Sequence, residues 1–465
     1  MDLTIAFKQN KQPQNMQRSD ILDYIQKNDI DTIYFQYIDL ESEIRELVIP
    51  INSIEYAHRI LASGERIDGS SIFKQLIPTG GSDLYIIPNY STAYKNPFDE
   101  NSINIICNFV NKQEKRAEFT PNNVLINAAD MIKKRHDLEL WALGELEFYL
   151  IGEYEYSPFN LKAQGGYHQT TPFLKYRSVA NEIAKVVSQI TGNVKYAHSE
   201  VGYIPKIEKP DSQWNSKHAE QYEVEFLPAP IETAGLNVSI AKWVAGNVAA
   251  KHNLGISFMP KLQNGHAGNG LHFHLELLKN KNNIMRNENG ELSDESLAII
   301  AALCEYAPSL TAMGNRVESS YERLNSGQET PSSVYWNELD RNALIRIPLA
   351  WQNGEDLASI INKNNSESYH SPFKRQTVEL RSADGSANHF FLLAGICQAI
   401  IVGLNNLEVF KEKAKQYSNS NHNLLDPLPK DLNESAKLFK NNRNKYKDVF
   451  SEEIMEYIIN YLSKK

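Results

Sequence analysis

The sequence is poor in cysteine and has no paired thiol motif. Its three cysteines, Cys107, Cys304 and Cys397, lie far apart, and no CxxC pair occurs. This spacing argues against a disulfide framework and against a zinc cluster. The first residues, MDLTIAFKQNK, carry charge and polarity where a secretory signal would be apolar. We therefore expect a reducing, cytoplasmic location.

The sequence also lacks a long apolar run and an excess of positive charge. Its longest apolar stretch runs from Phe390 to Leu404 and includes Gln398, which is short for a bilayer span. We interpret it as a buried core helix and expect no membrane partner. The net charge of −9 and the scattered lysines and arginines give no attraction to polyanions. Nucleic-acid binding is therefore not expected.

Neither an internal repeat nor a phosphate-cradling GxxxxGK[ST] loop occurs, so any bound phosphates need metals and arginines to hold them. Residues up to about 17 are polar and expected to be loose. The segments TIYFQYIDL, IRELVIPI, LYIIPN and INIICNFV are typical of strands of one sheet in a small domain. The charged stretch NKQEKRAEFTPNN is the expected boundary, after which helical and strand-like patterns alternate. The fold class is thus α+β.

Acidic and imidazole side chains recur two residues apart in strand-like segments of the larger domain. Because strand side chains alternate between two faces, the members of each set lie on one face. The sets are Glu145 with Glu147, Glu223 with Glu225, His272 with His274 and Glu276, and Glu379 with Arg381. The residues between them, expected to face an apolar core, are Leu146, Val224, Phe273, Leu275 and Leu380.

Each of these segments could be the solvated face of an antiparallel sheet. Solvated faces, however, usually mix in Thr, Lys and Ser, whereas these segments offer mostly carboxylates and imidazoles. Several carboxylates on one shared face repel each other unless cations lie between them. Oxygen ligands with one imidazole suit Mg²⁺ or Mn²⁺ better than zinc. The pattern therefore predicts a divalent metal site.

A second set of charges lies in YERLNSGQETPSSVYWNELDRNALIRIP, which contains Arg323, Glu329, Arg341 and Arg346. A charged surface loop is the simplest interpretation of any one of them. Arg346, however, is surrounded by apolar residues and needs a buried anionic partner or a phosphate. Arginines beside a two-metal site are typical of phosphoryl transfer.

At this point the sequence resembles the glutamine synthetase family from about residue 18 to about residue 460. The motifs that carry the resemblance occur in the family's order. They are RIDGSSI with SDLYIIP, GELEFYL, HSEV, AEQYEVEF, FMPK, GNGLHFH, RLNSGQETP, RNALIRIP and VELRSADGSANHF.

The resemblance implies a small N-terminal β-grasp-like domain over residues 18–112 and a catalytic domain over residues 118–465. In the latter, helices surround a curved antiparallel sheet. It also implies two divalent metals, Mg²⁺ or Mn²⁺, at each site. The implied ligands of the first metal are Glu147, Glu200 and Glu223, and those of the second are Glu145, His272 and Glu379.

The resemblance further implies how glutamate, ammonium and ATP are bound. Arg323 matches the residue that binds the glutamate α-carboxylate, and Arg341 and Arg381 match those that stabilise the transferred phosphoryl group. The implied nucleotide contacts are His274, Arg346 and Lys374. The implied ammonium pocket consists of Asp68, Ser71, Tyr167 and Glu200, and Glu329 matches a flap that closes over the intermediate.

The implied reaction joins ammonia to glutamate. ATP phosphorylates the glutamate side chain, Asp68 takes a proton from ammonium, and Glu329 helps to exclude water. In the family Asp68 serves the neighbouring subunit's site, so the resemblance implies a homo-oligomeric ring, either a hexamer or a dodecamer.

Some positions depart from the family pattern. Ala267 stands where an asparagine usually contacts glutamate, Glu276 where a serine lies near the nucleotide, and Thr377 where a basic residue is usual. Leu425 stands where a tyrosine would be adenylylated, so that control is not expected. Two alternatives stay open at this point. One is a γ-glutamyl ligase for an organic amine such as a polyamine, and the other is a non-catalytic relative.

Replacing the flap residue tests the implied exclusion of water. Glu329→Ala should raise ATP hydrolysis relative to amide formation, because water would reach the activated glutamate. The measurement is the ratio of phosphate released to amide formed. An unchanged ratio would remove Glu329 from this role.

Overall fold

Two separate sheets organise the chain in the computed structural model, which describes residues 3–77, 82–154, 157–328, 330–350, 357–364, 367, 369, 375–418 and 427–463. The smaller sheet contains all four strand-like segments predicted for the N-terminal part, and that prediction is confirmed. Its strands are β1 (Thr32–Ile38), β2 (Ile44–Pro50), β3 (Glu65–Asp68), β4 (Asp83–Pro88), β5 (Tyr94–Lys95) and β6 (Ser102–Val110).

The order of the smaller sheet is β2-β1-β6-β4-β3, with β5 beside β6. Strand β1 runs parallel to β6 and antiparallel to β2, and it buries Ile33 and Phe35 completely. Helices cover or flank this sheet. They are α1 (Ile5–Lys8), α2 (Arg18–Lys27), α3 (Ile54–Ser63) and α4 (Gly69–Ile72).

The expectation of a loose start was wrong. Residues Ile5 and Ala6 of α1 are buried, and the Ile5 backbone N–H donates to the Ala93 carbonyl at 2.9 Å. A short apolar pair among polar neighbours was enough to anchor this segment beside β5.

The larger sheet carries the site. It has the order β14-β15-β16-β12-β7-β9-β8, with β10 and β11 also paired to β7 and β13 to β12. Its neighbours run antiparallel except for β14 and β15, which are parallel, so the sheet is mixed rather than purely antiparallel. The strands are β7 (Glu139–Gly152), β8 (Val194–Ile204), β9 (His218–Phe226), β10 (Ala229–Pro230), β11 (Gly255–Ser257), β12 (Leu271–Lys279), β13 (Asn282–Asn283), β14 (Trp336–Glu338), β15 (Ile345–Ile347) and β16 (Val378–Leu380).

Helices surround this sheet, as the α+β interpretation requires. They are α5 (Pro121–His136), α6 (Arg177–Thr191), α7 (Ile231–Lys251), α8 (Asp294–Gly314), α9 (Glu318–Leu324), α10 (Ala358–Ile361), α11 (His389–Asn405), α12 (Leu407–Tyr417), α13 (Leu432–Asn442) and α14 (Glu452–Ser463).

The most apolar helices form the core. Helix α11 covers the apolar stretch of the sequence and is buried along nearly its whole length, which confirms the predicted core helix. Helix α8 is long and apolar enough to cross a bilayer, but 83% of its most apolar segment is buried inside the protein. Such burial is typical of a core helix.

Candidate active site

The acidic sets of the larger sheet converge on one cavity of about 2160 Å³. The residues predicted to separate them face the core, because Leu146, Val224, Phe273, Leu275 and Leu380 are all at most 1% exposed. The members of the predicted sets that line the cavity are Glu145, Glu147, Glu223, Glu225, His272, His274, Glu276 and Arg381.

Strand register brings these side chains together. Strand β7 lies between β9 and β12, and Glu145 is directly opposite both Glu225 of β9 and His272 of β12. Glu147 is opposite Glu223 in the same way. Because directly opposite residues share a sheet face, the strands combine into one polar surface.

The first group of candidate metal ligands comprises Glu145, His272 and Glu379, here called the His272 cluster. One ligand atom from each of the three residues lies within 4.8 Å of the others. His272 Nδ1 is 3.1 Å from Glu145 Oε2 and 3.6 Å from Glu379 Oε1. These are the three residues predicted to hold the second metal, and the structure brings them together.

The second group comprises His198, Glu200 and Glu223, here called the His198 cluster. One ligand atom from each of these residues also lies within 4.8 Å of the others. His198 Nε2 is 2.8 Å from Glu223 Oε2, and its Nδ1 is 3.6 Å from Glu200 Oε1. His198 was missed as a candidate ligand. The signal was present, because His198 and Glu200 are two residues apart in what became β8.

Glu147, the remaining predicted ligand of the first metal, lies in the same cavity but is held differently. Its Oε2 accepts the Gly270 backbone N–H at 2.8 Å and the Gln221 amide at 3.0 Å. Burial and the nearby Glu200 raise its pKa to about 7. Its closeness to Glu200 fits the predicted site, while its role as a ligand stays a prediction.

The two clusters differ in electrostatic balance. Burial and then the carboxylates of Glu145, Glu147 and Glu200 raise the pKa of Glu223 well above its ordinary value. Burial also opposes ionisation of Glu145, but His274 and His272 outweigh it and hold the pKa of Glu145 well below its usual range. The His272 cluster is therefore compensated by protein groups, whereas Glu223 gains from an added cation.

Two arginines share the buried Glu379 carboxylate, which is 0% exposed. Arg346 Nη1 donates to Glu379 Oε2 at 2.9 Å, and Arg381 Nη1 donates to Oε1. The anionic partner expected for Arg346 is therefore Glu379. Burial raises the pKa of Glu379, but His274 and Arg381 outweigh it and lower the net value.

The other predicted arginines line the same cavity. Arg323, on α9, is 2% exposed and donates through Nη1 to the Ser382 carbonyl at 3.0 Å. Its Nη2 is 3.3 Å from His272 Nε2, so it borders the His272 cluster. Arg341 reaches the cavity from the loop before β15.

The two histidines of β12 have different surroundings. Burial and Arg381 lower the pKa of His272, which favours the neutral imidazole that a metal requires. Burial disfavours the charged form of His274, but Glu145 and Glu379 outweigh it and raise its pKa. The Thr377 hydroxyl lies 3.0 Å from His274 Nδ1. Thr377, one of the positions that depart from the family pattern, therefore contacts this histidine.

The predicted ammonium pocket is split between two parts of the chain. Tyr167 lines the cavity beside Glu200, and its ring is 5.6 Å from that of His198. Asp68 and Ser71 lie on the small domain and are not among the described residues that line the cavity. Ser71 donates to Asp68 Oδ2 at 2.7 Å, and hydrogen bonds from Ser70 and then Ser71 hold the pKa of Asp68 well below its usual range.

The structure also shows what surrounds Ala267 and Glu276, two further positions that depart from the family pattern. Asn269, two residues after Ala267, does not supply the missing amide to the cavity, because its Nδ2 donates to the Ser257 carbonyl at 3.0 Å and it is fully buried. Glu276 meets the Asn283 amide, and burial raises its pKa to about 7. Glu329, Lys374 and Leu425 lie outside the described residues.

The donor set fits divalent metal ions. Carboxylate oxygens dominate both clusters, with one imidazole each, which is the composition that Mg²⁺ or Mn²⁺ accepts. The raised pKa of Glu223 indicates negative charge that its surroundings leave uncompensated. A cation at the His198 cluster would remove this repulsion.

The titration of Glu147 makes the stability of the metal-free protein depend on pH. Its pKa is about 7 in the fold against an ordinary 4.5, so the folded state holds the proton more tightly. The resulting stability, about 3 kcal/mol, is fully present below pH 4.5 and is lost as the pH rises through 7. Urea unfolding midpoints in a chelator should therefore fall between pH 5 and pH 8.

Glu147→Gln should reduce this pH dependence by the share that Glu147 contributes, while the exposed control Glu114→Gln should keep the parental slope. Added Mg²⁺ should raise the midpoint more at pH 8 than at pH 5, because protons compete with the metal. A Glu147→Gln protein with the parental slope would refute the assignment of the effect to this carboxyl.

Comparison with known proteins assigns the chain to a family. Residues 29–112 match the family described as "Glutamine synthetase, beta-Grasp domain", and residues 118–464 match "Glutamine synthetase, catalytic domain". The glutamine synthetase of Pyrococcus horikoshii is 27% identical over 372 residues, 80% of this chain and 73% of that protein. That of Staphylococcus aureus is 26% identical over 399 residues, covering 84% and 80%.

Solved structures share the fold. The Plasmodium falciparum glutamine synthetase structure has a TM-score of 0.78 at 20% identity, covering 97% of this chain and 95% of that one. A GmaS/ADP complex has a TM-score of 0.73 at 17% identity, covering 95% and 94%. Because the two matched families together span most of its length, the chain belongs to the glutamine synthetase family.

Proposed function

We propose that this protein joins ammonia to the γ-carboxylate of glutamate with ATP, through a γ-glutamyl phosphate, giving glutamine, ADP and phosphate. The observation that carries the proposal is the pair of carboxylate–imidazole clusters at one cavity that is also lined by Arg323, Arg341, Arg346 and Arg381. Family membership makes a ligase the expected class of enzyme.

The two clusters and Glu147 are the proposed metal ligands. Bound there, Mg²⁺ or Mn²⁺ would supply charge neutralisation for the triphosphate and the transferred phosphoryl group. Around them the chain contributes fixed cations. Arg341 and Arg381 stabilise the charge of the transferring group, and Arg346 and His274 hold the nucleotide together with Lys374.

Glutamate is bound by its charge at both ends. Arg323 is buried, and its guanidinium group lies 3.3 Å from His272 Nε2, where it can pair with the α-carboxylate. The γ-carboxylate then faces the phosphoryl donor. Ala267 offers no side-chain amide to substrate, so binding depends more heavily on Arg323.

Ammonium enters beside Glu200 and Tyr167, and it must lose a proton before it becomes a nucleophile. Asp68 is the proposed base and Ser71 its neighbour. Since both lie on the small domain, away from the cavity of their own chain, the proposal requires a second copy to bring them to it. We therefore propose a homo-oligomeric ring, hexameric or dodecameric, built from domains at residues 18–112 and 118–465.

Aromatic rings near the His198 cluster support an organic amine as a second candidate for the nucleophile. Tyr167 stacks on His168 at 4.2 Å, and Tyr196 lies 5.7 Å from His198. Rings of this kind attract organic ammonium groups through their π faces. The competing reaction is γ-glutamylation of an amine such as a polyamine.

The deciding experiment measures phosphate release from ATP with Mg²⁺ and glutamate, comparing ammonium with methylamine and putrescine. Stimulation by ammonium alone supports glutamine synthesis, and stimulation only by an organic amine supports the second candidate. A protein that none of them stimulates would be a non-catalytic member of the family.

Asp68→Asn should lower the rate of amide formation by about 10² or more, because the base is lost. Metal affinity, measured by calorimetry, should not change. The matched control is Asp83→Asn, since Asp83 is the cross-strand partner of Asp68 and is also exposed. Loss of metal affinity in Asp68→Asn, or equal losses of rate in both variants, would contradict the proposed role.

A further inference from the structure

Arg323, the proposed contact of the glutamate α-carboxylate, is held by a short backbone segment that directly follows β16. Its Nη1 donates to the carbonyls of Ser382 at 3.0 Å and Ala383 at 3.2 Å, and its Nη2 donates to that of Arg381 at 3.4 Å. These three consecutive residues are here called the carbonyl segment. Because Arg323 is 2% exposed, the carbonyls replace water that its guanidinium group loses on burial. The direction in which Arg323 points therefore depends on the position of the carbonyl segment.

The carbonyl segment is followed by Asp384, an acid that is 0% exposed. Asn315 Nδ2 donates both to Asp384 Oδ2 and to the Ser382 carbonyl, at 2.8 Å each, so one amide ties the carboxylate to the carbonyl segment. Asp384 Oδ1 accepts the Ser386 backbone N–H at 2.9 Å and the Ser386 hydroxyl at 2.6 Å. Both oxygens of this carboxylate are therefore held in place by hydrogen bonds.

The carbonyl segment also contacts the start of β12. The Leu271 backbone N–H donates to the Ala383 carbonyl at 3.0 Å. Gly270 has no room for a side chain, because a Cβ atom there would lie 2.8 Å from Arg323 Nη2. Arg323 and the His272 cluster are thus fixed to one piece of backbone, and a shift of the carbonyl segment would move the arginine relative to the cluster.

Asp384 also supplies negative charge to the surroundings of Arg323. Burial raises the pKa of Asp384, and the charge of Arg323 is the first of the effects that oppose this rise. Opposite charges attract more strongly in the interior than in water. This attraction draws the guanidinium group toward the carbonyl segment, in agreement with its hydrogen bonds.

We propose that Asp384 is a positioning residue for glutamate binding, because it holds the carbonyl segment, which in turn holds Arg323 in the direction that pairs with the α-carboxylate. This inference rests on the proposed use of glutamate. Asp384 itself is not among the described residues that line the cavity. It therefore acts through Arg323 and does not touch the substrate.

Asp384→Asn should weaken glutamate binding more than it slows the reaction. In either orientation of the new amide, its NH₂ group would face a donor from Asn315 or from Ser386, and the negative charge is lost. The KM for glutamate should rise about tenfold, whereas kcat and the KM for ATP should change by less than about threefold. Calorimetry without ATP should show the same loss of glutamate affinity.

Glu220→Gln is the matched control for a loss of stability. Glu220 is also 0% exposed, and it accepts the backbone N–H groups of Lys175 at 2.8 Å and Tyr176 at 3.0 Å. It is not among the described residues that line the cavity. Both variants should have a lower unfolding temperature, but Glu220→Gln should keep the parental KM for glutamate.

If Asp384→Asn fails to fold, Ser386→Ala tests the same link, because it removes one hydrogen bond from the carboxylate and keeps its charge. Its KM for glutamate should rise about threefold. A parental KM in the variant that folds, or an equal rise in Glu220→Gln, would refute the role of Asp384 alone. A wild-type protein that binds no glutamate would refute the proposed function and this role with it.

Discussion

Repulsion among carboxylates on one sheet face is the constraint on which the site depends. Glu145, Glu147, Glu223 and Glu225 come from two adjacent strands, and their register brings them into direct opposition. In such a surface, burial and the neighbouring carboxylates raise the pKa of Glu147 and Glu223. The fold tolerates the surface because other groups supply positive charge, and because protons or metal ions can supply the rest.

The positive charge of the protein is distributed unequally between the two clusters, and this difference affects how each would bind a metal ion. Around the His272 cluster, Arg346, Arg381 and His274 surround Glu379 and Glu145, which hold their charge in the metal-free protein. The carboxyl of Glu223, in the His198 cluster, has instead a raised pKa. Metal binding at the His198 cluster is therefore coupled more strongly to proton release than binding at the His272 cluster.

Much of the site could be predicted from the sequence because strand periodicity is local. Alternation alone put Glu145 with Glu147 and His272 with His274 on one face, and the buried Leu146 and Phe273 confirm the pattern. The partner of each strand is not local, since β12 meets β7 more than 100 residues away along the chain. For that reason the sequence predicted a buried anionic partner for Arg346 but could not identify it as Glu379.

The errors have similar causes. His198 was passed over because its contact with Glu223 depends on the pairing of β8 with β9, which is not local in the sequence. The parallel pair β14–β15 was missed because each strand has only three residues. The start of the chain was expected to be loose because two buried residues, Ile5 and Ala6, make too short an apolar pattern.

Ala267, Glu276 and Thr377, the described positions that depart from the family pattern, lie outside the two clusters. A change of charge at Glu145 would affect two neighbouring strands at once, because β7 is paired on both sides and Glu145 is opposite both His272 and Glu225. Ala267 precedes β12, Thr377 precedes β16, and Glu276 lies toward the far end of β12. At such places a new side chain can gain its own partner, as Thr377 does with His274. Substrate preference can thus vary there without disturbing the balance of charge that the clusters require.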